Sequence, residues 1–142
     1  MEQQIAYHYE NEFILENEDK YTEWIINCLQ TSDYQAGELT YVFMSDEQLL
    51  EVNRQYLQHD YYTDIITFPF SEGEILTADI CISTDRVEEN ARTYEAPFEE
   101  ELRRVMIHGV LHLMGWKDTT DEEKAAMRCK ETELLGMFHV KH

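Results

Sequence analysis

The sequence predicts a single α+β domain, residues 1–142, in which a four-stranded mixed sheet packs with about five helices. Segments with strand periodicity alternate with segments of helical periodicity through the first two thirds of the chain, and only helical patterns follow. Hydrophobic residues make up 43% of the chain, and no repeat, low-complexity tract or linker divides it. One hydrophobic core is therefore expected.

The first part of the chain predicts two strands and two helices. In QQIAYHYE, apolar residues such as Ile5 and Tyr7 alternate with polar ones, as in a half-buried strand. A helix should follow Asn17, which suits an N-cap. The segment ELTYVFMS is apolar on both faces and should form a central strand. Ser45 and Gln48 then have the spacing of a capping box that opens the second helix.

The next elements are a predicted hairpin and three helices. DIITFPF and ADICIST are rich in β-branched and aromatic residues, and Gly73 between them suits a turn. A helix through Val87 and Ala91 follows, and a capping box at Thr120 and Glu123 opens the last helix. The helix between these two is expected to be central and buried, and its apolar stripe comprises Leu102, Val105, Met106, Gly109 and Leu113.

The ends of this central helix frame the segment HGVLHLMGWKD. Pro97 suits the first helical position, and Gly115 suits the residue that stops the helix. His108 and His112 are four apart and share one face, so both imidazoles can reach one ion, and the stop lets Asp118 turn back as a third ligand. This ligand set suits one Zn²⁺ per chain, with a fourth position open as in catalytic zinc sites, on a zincin-like helix.

The alternative for this histidine pair is a chance occurrence on a helix face, but the full H-x₃-H-x₂-G-x₂-D spacing favours a metal site. The other histidines receive no metal role. His8 is expected to face solvent on a strand, His139 and His142 belong to a C-terminal tail, and His59 has no assignment.

The composition limits partners and compartment. A net charge of −19 and a pI near 4.5 disfavour a protein that coats nucleic acid in general. Most basic residues lie in the last third, where they are interpreted as solvated helix faces, namely Arg103, Arg104, Lys117, Lys124, Arg128 and Lys130. No membrane span or signal peptide is predicted, and three unpaired cysteines, expected to be buried thiols, indicate a reducing cytoplasm.

The segment HGVLHLMGWKD resembles the signature H-G-x-L-H-L-x-G-[YW]-x-[HD] of the YbeY family of bacterial rRNA maturation factors, which are single-domain zinc-dependent endoribonucleases. Upstream, VNRQYLQHDYYTDIITFP is similar to the family stretch L-N-x-x-Y-R-x-x-D-x-x-T-D-V-L-S-F-P, and ADICIS is similar to G-D-I-x-I-S. The resemblance spans Asn53 to Asp118, close to half of the chain.

This resemblance implies that His108, His112 and Asp118 bind zinc and that His108 takes part in catalysis through the metal. It implies a substrate of single-stranded ribosomal RNA, with roles in maturation of the small-subunit rRNA 3′ end and in ribosome quality control. Ribosomal RNA and the small ribosomal subunit are then the expected partners.

Two positions depart from the family pattern. Asp118 stands where the family usually has histidine, and carboxylate is an accepted zinc ligand. Leu57 falls where the family has an arginine that is thought to assist catalysis or hold the phosphate, and leucine does neither. Arg54, one helical turn earlier, is the candidate replacement.

Three further polar residues are candidates for supporting roles. Asp64 and Asp79 are predicted to orient the histidines, because ligating imidazoles commonly donate their other N–H to a carboxylate. Lys117 precedes Asp118 and is a candidate contact for the phosphate backbone, and a solvated loop lysine is the alternative.

Three functions remain open at this point. The first is a metal-dependent endoribonuclease that acts on rRNA. The second is a ribosome-associated assembly factor with little nuclease activity, which the leucine at position 57 and the acidic surface, suited to protein partners, both favour. The third is a metalloprotease, but Gly109 stands where such enzymes carry the glutamate that serves as general base.

Overall fold

The computed structural model describes residues 3–139. Its elements follow the predicted order, and a short 3₁₀ turn, Met137–His139, ends the described chain. The strands are β1 (Gln4–Tyr9), β2 (Gln35–Met44), β3 (Ile65–Pro69) and β4 (Ile75–Ser83). The helices are α1 (Glu18–Gln30), α2 (Asp46–Leu57), α3 (Thr84–Thr93), α4 (Phe98–Leu113) and α5 (Asp121–Gly136).

The four strands form one mixed sheet in the order β1-β2-β4-β3. β2 is parallel to both β1 and β4, whereas β3 pairs antiparallel with β4. The predicted hairpin is therefore β3–β4, and Gly73 in its turn has φ of 90°, which favours glycine. β2 lies inside the sheet: Tyr41 and Phe43 are buried in the main core on one face, and Val42 is half-buried against the smaller core on the other, which explains why its sequence is apolar on both sides.

Helix α4 packs closely on one face of the sheet, and Gly109 makes this approach possible. A Cβ atom at this position would lie 2.8 Å from the Ile65 Cδ1 atom and 3.1 Å from the Ile80 Cγ2 atom. The prediction of a central buried helix is thus confirmed. α2 covers the other face, where Leu49 packs with Cys81.

The capping signals in the sequence correspond to real helix starts in the structure. Both predicted capping boxes are present, at Ser45 with Gln48 and at Thr120 with Glu123. Asn17 does occupy the N-cap of α1, but its backbone is left-handed (φ of 61°) and its side chain makes no capping bond. Its backbone carbonyl, not its side chain, accepts the first helical hydrogen bonds.

Two of the three cysteines are buried, and the prediction was wrong for the third. Burial raises the pKa of Cys28 to about 12 and that of Cys81 to about 11, so both thiols stay protonated. Cys129 is exposed because it lies two residues after Met127 and so points away from the buried stripe of α5. None of the helices within residues 3–139 combines the length and apolarity that crossing a membrane would require.

Candidate metal centre

Three side chains converge at the C-terminal end of α4. The His108 Nε2 and His112 Nε2 atoms are 2.9 Å apart, and each lies 3.3 Å from the Asp118 Oδ2 atom. The two histidines are one helical turn apart on the same face of α4, as the i, i+4 spacing predicts. Among residues 3–139, this is the one group of histidine, cysteine and acidic side chains with its ligand atoms within 4.8 Å of one another.

The turn after α4 brings Asp118 to the histidines. Gly115 adopts φ of 98°, its N–H donates to the His112 carbonyl at 3.0 Å, and the Trp116 N–H donates to the Leu111 carbonyl at 3.0 Å. These two bonds form a Schellman motif, which reverses the chain at the helix end. The Tyr34 hydroxyl donates to the Met114 carbonyl at 3.2 Å and ties the turn to the segment that leads into β2.

Two of the three distances between ligand atoms have the value that a tetrahedral ion requires, and the third, 2.9 Å between the two Nε2 atoms, is shorter. Bonds of about 2.0–2.1 Å at tetrahedral angles place neighbouring ligand atoms roughly 3.3 Å apart. Both histidine-to-carboxylate distances match this value. Two imidazoles and one carboxylate are a ligand set that zinc accepts, so the residues fit a zinc ion with one coordination position left free.

His108 is oriented by a buried carboxylate that the sequence analysis did not identify. The Glu131 Oε2 atom lies 2.6 Å from the His108 Nδ1 atom, and the Oε1 atom of the same carboxylate accepts from the Arg104 Nη1 atom at 2.9 Å. Glu131 is only 4% exposed. With the proton on Nδ1 donated to Glu131, Nε2 is free for the metal.

A sequence signal for Glu131 did exist. Met127, Glu131 and Leu134 recur at the spacing of one helix face, and all three are buried in α5. A carboxylate inside an apolar stripe requires a partner, because a buried unpaired charge is strongly unfavourable. The sequence alone does not say which partner that is.

The carboxylates around His108 raise its pKa. Burial alone lowers the pKa of this imidazole, but the hydrogen bond and charge of Glu131, together with the charges of Asp118 and Asp64, outweigh burial. For the carboxyl group of Asp64 burial acts in the opposite direction and raises the pKa. In the metal-free protein, protons therefore compete with a metal for His108 at a higher pH than they would for an isolated histidine.

Neither of the two aspartates that were predicted to orient the histidines makes a hydrogen bond to them. Asp64 is beside the site, but its carboxylate accepts from the Asn90 Nδ2 atom at 3.3 Å. Asp79 alternates with Ile80 along β4, so it faces the side of the sheet opposite to α4. The structure therefore corrects the prediction: Glu131 orients His108, and Asp79 does not reach the site.

The predicted substrate contacts are not brought together at the metal ligands either. The Arg54 Nε atom donates to the Asp60 Oδ1 atom at 2.5 Å, which holds the guanidinium on the exposed face of α2. Lys117 is exposed in the loop before Asp118. Leu57 is 40% exposed and lines the cleft beside the histidines, so position 57 is in place but carries no charge.

Two cavities meet at the metal ligands. An open cleft of about 560 Å³ lies between the segment after α2, strand β3 and the three ligands. It is lined by Asn53, Leu57, His59, Tyr61, Thr63, Asp64, Ile65, Ile66, Thr67, His108, His112 and Asp118. A smaller cavity of about 260 Å³ on the α5 side is lined by Arg104, Lys124 and Arg128 among others, whereas Arg103 packs against Phe138 elsewhere.

The remaining histidines are placed as follows. His8 is exposed on β1, as predicted, and His139 is exposed in the final 3₁₀ turn. His142 lies outside the described residues. His59, to which the sequence analysis gave no role, lines the open cleft.

Replacing Glu131 by glutamine is expected to weaken metal binding by roughly 10- to 100-fold, because the amide no longer fixes His108 as a charged acceptor does. Metal affinity is measured by competition with a chromophoric chelator. Glu133→Gln is the matched control, since Glu133 is exposed on the same helix and pairs with Lys130. Equal metal affinity in the Glu131→Gln variant and the wild type would contradict the role of Glu131.

Comparison with known proteins gives the family. The family model described as endoribonuclease YbeY matches residues 4–139. The chain is similar to an endoribonuclease YbeY of Flavobacterium psychrophilum, with 47% identity over 137 residues, covering 96% of this chain and 98% of the relative. It is 50% identical over 116 residues to an endoribonuclease YbeY of Bacteroides fragilis, covering 82% of this chain and 84% of that relative.

A solved structure agrees with the fold. The solution structure of a Thermotoga maritima protein superposes with a TM-score of 0.68 at 24% identity, over 96% of this chain and 89% of the other. At this identity the likeness supports the fold, and the sequence relatives carry the family assignment. Together with the family model, which matches almost the whole chain, they show that the chain belongs to the YbeY endoribonuclease family.

Proposed function

We propose that this protein is a zinc-dependent endoribonuclease that cleaves single-stranded ribosomal RNA in the cytoplasm. Its roles would be maturation of the small-subunit rRNA 3′ end and ribosome quality control, with the small subunit as partner. The observation that carries the proposal is the cluster of three candidate metal ligands, which lies open to a cleft of about 560 Å³. The names of the relatives support the class of reaction.

The side chains of the site have two roles: some would hold the ion, and others line the cleft that would admit the substrate. His108, His112 and Asp118 would hold zinc, which when bound supplies Lewis-acid chemistry and favours ionisation of water near neutral pH. Glu131 keeps the His108 imidazole in the orientation that the ion needs. A phosphodiester in the cleft would have access to the fourth coordination position of an ion held by these three side chains.

Zinc-loaded protein is expected to cleave a small-subunit rRNA precursor, and the His108→Ala variant prepared in the same way is expected to leave it intact. His108 is both a ligand and the residue that Glu131 orients, so its loss removes the site. Cleavage products are followed on a denaturing gel. Equal cleavage by both proteins would indicate a contaminating nuclease and would sink the proposal.

A second function, a ribosome-associated assembly factor with little nuclease activity, is favoured by one specific observation. Leu57 lines the cleft where the resemblance places an arginine, and the nearby Arg54 is paired with Asp60 outside the cleft. The charge of −19 suits protein partners better than bare RNA. Stable binding to small subunits by both the wild type and His108→Ala, without cleavage by either, would favour this function.

A further inference from the structure

Two aromatic rings form one face of the open cleft. The rings of His59 and Tyr61 lie 5.2 Å apart between centroids at an interplanar angle of 23°, so they stack. The Tyr61 hydroxyl and the His59 Nδ1 atom are 3.1 Å apart, within hydrogen-bond distance. Tyr61 is 55% exposed, yet both residues line the cleft that contains His108, His112 and Asp118.

The backbone of this segment is held in place by a buried side chain. Asn53 is 1% exposed, and its Nδ2 atom donates to the Tyr61 carbonyl at 2.9 Å. Its own carbonyl accepts the His59 N–H at 3.1 Å. Gln58 adopts φ of 57° and turns the chain sharply after α2. The backbone that carries the aromatic pair is therefore held in place before any ligand binds.

The charges around the cleft favour recognition by stacking. Position 57 carries leucine, and the neighbouring Arg54 is neutralised by Asp60 and Glu51. With a net charge of −19 the protein gains little from long-range attraction of phosphates. Stacking of a base on an aromatic ring does not depend on attraction by a basic surface.

We propose that the His59–Tyr61 pair is a platform on which one unpaired base of the RNA substrate stacks, next to the phosphodiester that enters the metal site. This inference rests on the proposed function and specifies how the cleft recognises its substrate. A base inside a duplex already stacks on its neighbours and is not available to the platform, so the pair selects single strands. The pair would give the RNA a stacking contact in a cleft where Leu57 offers no charged contact to its phosphates.

Tyr61→Ala is expected to weaken binding of a fluorescein-labelled single-stranded RNA by about tenfold, within the roughly 5- to 150-fold that corresponds to loss of one base–aromatic stack. Tyr61→Phe keeps the ring and should bind like the wild type. Tyr62→Ala is the matched control, because Tyr62 is 46% exposed, lies outside the cleft and bonds to Glu47. Affinity is read by fluorescence anisotropy with zinc-loaded protein, and a gel after each titration confirms that the RNA is intact.

Unchanged affinity in Tyr61→Ala, or an equal loss in Tyr62→Ala, overturns the stacking platform while leaving the proposed cleavage standing. A wild type that neither binds nor cleaves single-stranded RNA overturns both proposals. Circular dichroism of each variant verifies the fold, which these exposed side chains are not expected to affect.

Discussion

The His112→Ala variant is expected to lose its bound metal and its RNA cleavage together. His112 would contribute one of three ligand atoms, and the remaining pair, His108 and Asp118, would not hold a tetrahedral ion in a fixed geometry. The loss of affinity should exceed the roughly 10- to 100-fold expected for removing a partner outside the ligand shell. Elemental analysis of the purified protein measures the metal content, and a gel assay measures cleavage.

His8→Ala serves as the control for the general effect of removing a histidine. His8 is exposed on β1, which lies at the opposite edge of the sheet from β3, the strand that lines the cleft. It should keep the wild-type metal content. A His112→Ala protein that retained one metal ion per chain would show that the three side chains are not the metal site.

Gly109→Glu is expected to destabilise the protein by about 4 kcal/mol or more, and not to create a peptidase. A glutamate at this position would complete the protease-type motif. However, even a Cβ atom there lies 2.8 Å from the Ile65 Cδ1 atom and 3.1 Å from the Ile80 Cγ2 atom. The carboxylate would be forced into the apolar interface between α4 and the sheet. Chemical denaturation measures the free energy of unfolding.

Gly109→Ala adds the Cβ atom without the carboxylate, so it measures the cost of steric crowding apart from the cost of burying a charge. Alanine favours the helix by about 1 kcal/mol relative to glycine, whereas overpacking costs about 1–3 kcal/mol, so a modest net destabilisation is expected. A Gly109→Glu protein with wild-type stability and activity on peptides would revive the metalloprotease alternative. The same geometry explains why this helix carries glycine between its two ligands.

Local signals in the sequence determined the order of elements and the location of the candidate metal ligands. Capping boxes at Ser45 and Thr120 and the glycine stop at Gly115 act within one or two helical turns, so the residues themselves reveal them. The pairing of His108 with His112 is equally local, because it follows from the helical repeat. These features need no knowledge of distant parts of the chain.

Sequence reasoning failed where a contact joined residues far apart along the chain. Glu131 reaches His108 across 23 positions because α5 packs on α4, and Asp79 is excluded because alternation along β4 turns it to the other face. His59 and Tyr61 are held by Asn53 close by in the sequence, but the cleft that they line also contains His108 and His112 of the distant helix α4.

The sequence by itself therefore determined helix α4, the candidate metal ligands and the family resemblance. The tertiary structure decided which carboxylate orients the metal ligand and which aromatic rings line the cleft. The physical reason is that helix periodicity and capping are set by neighbours in sequence, whereas packing between helices, sheet faces and loops depends on the whole core.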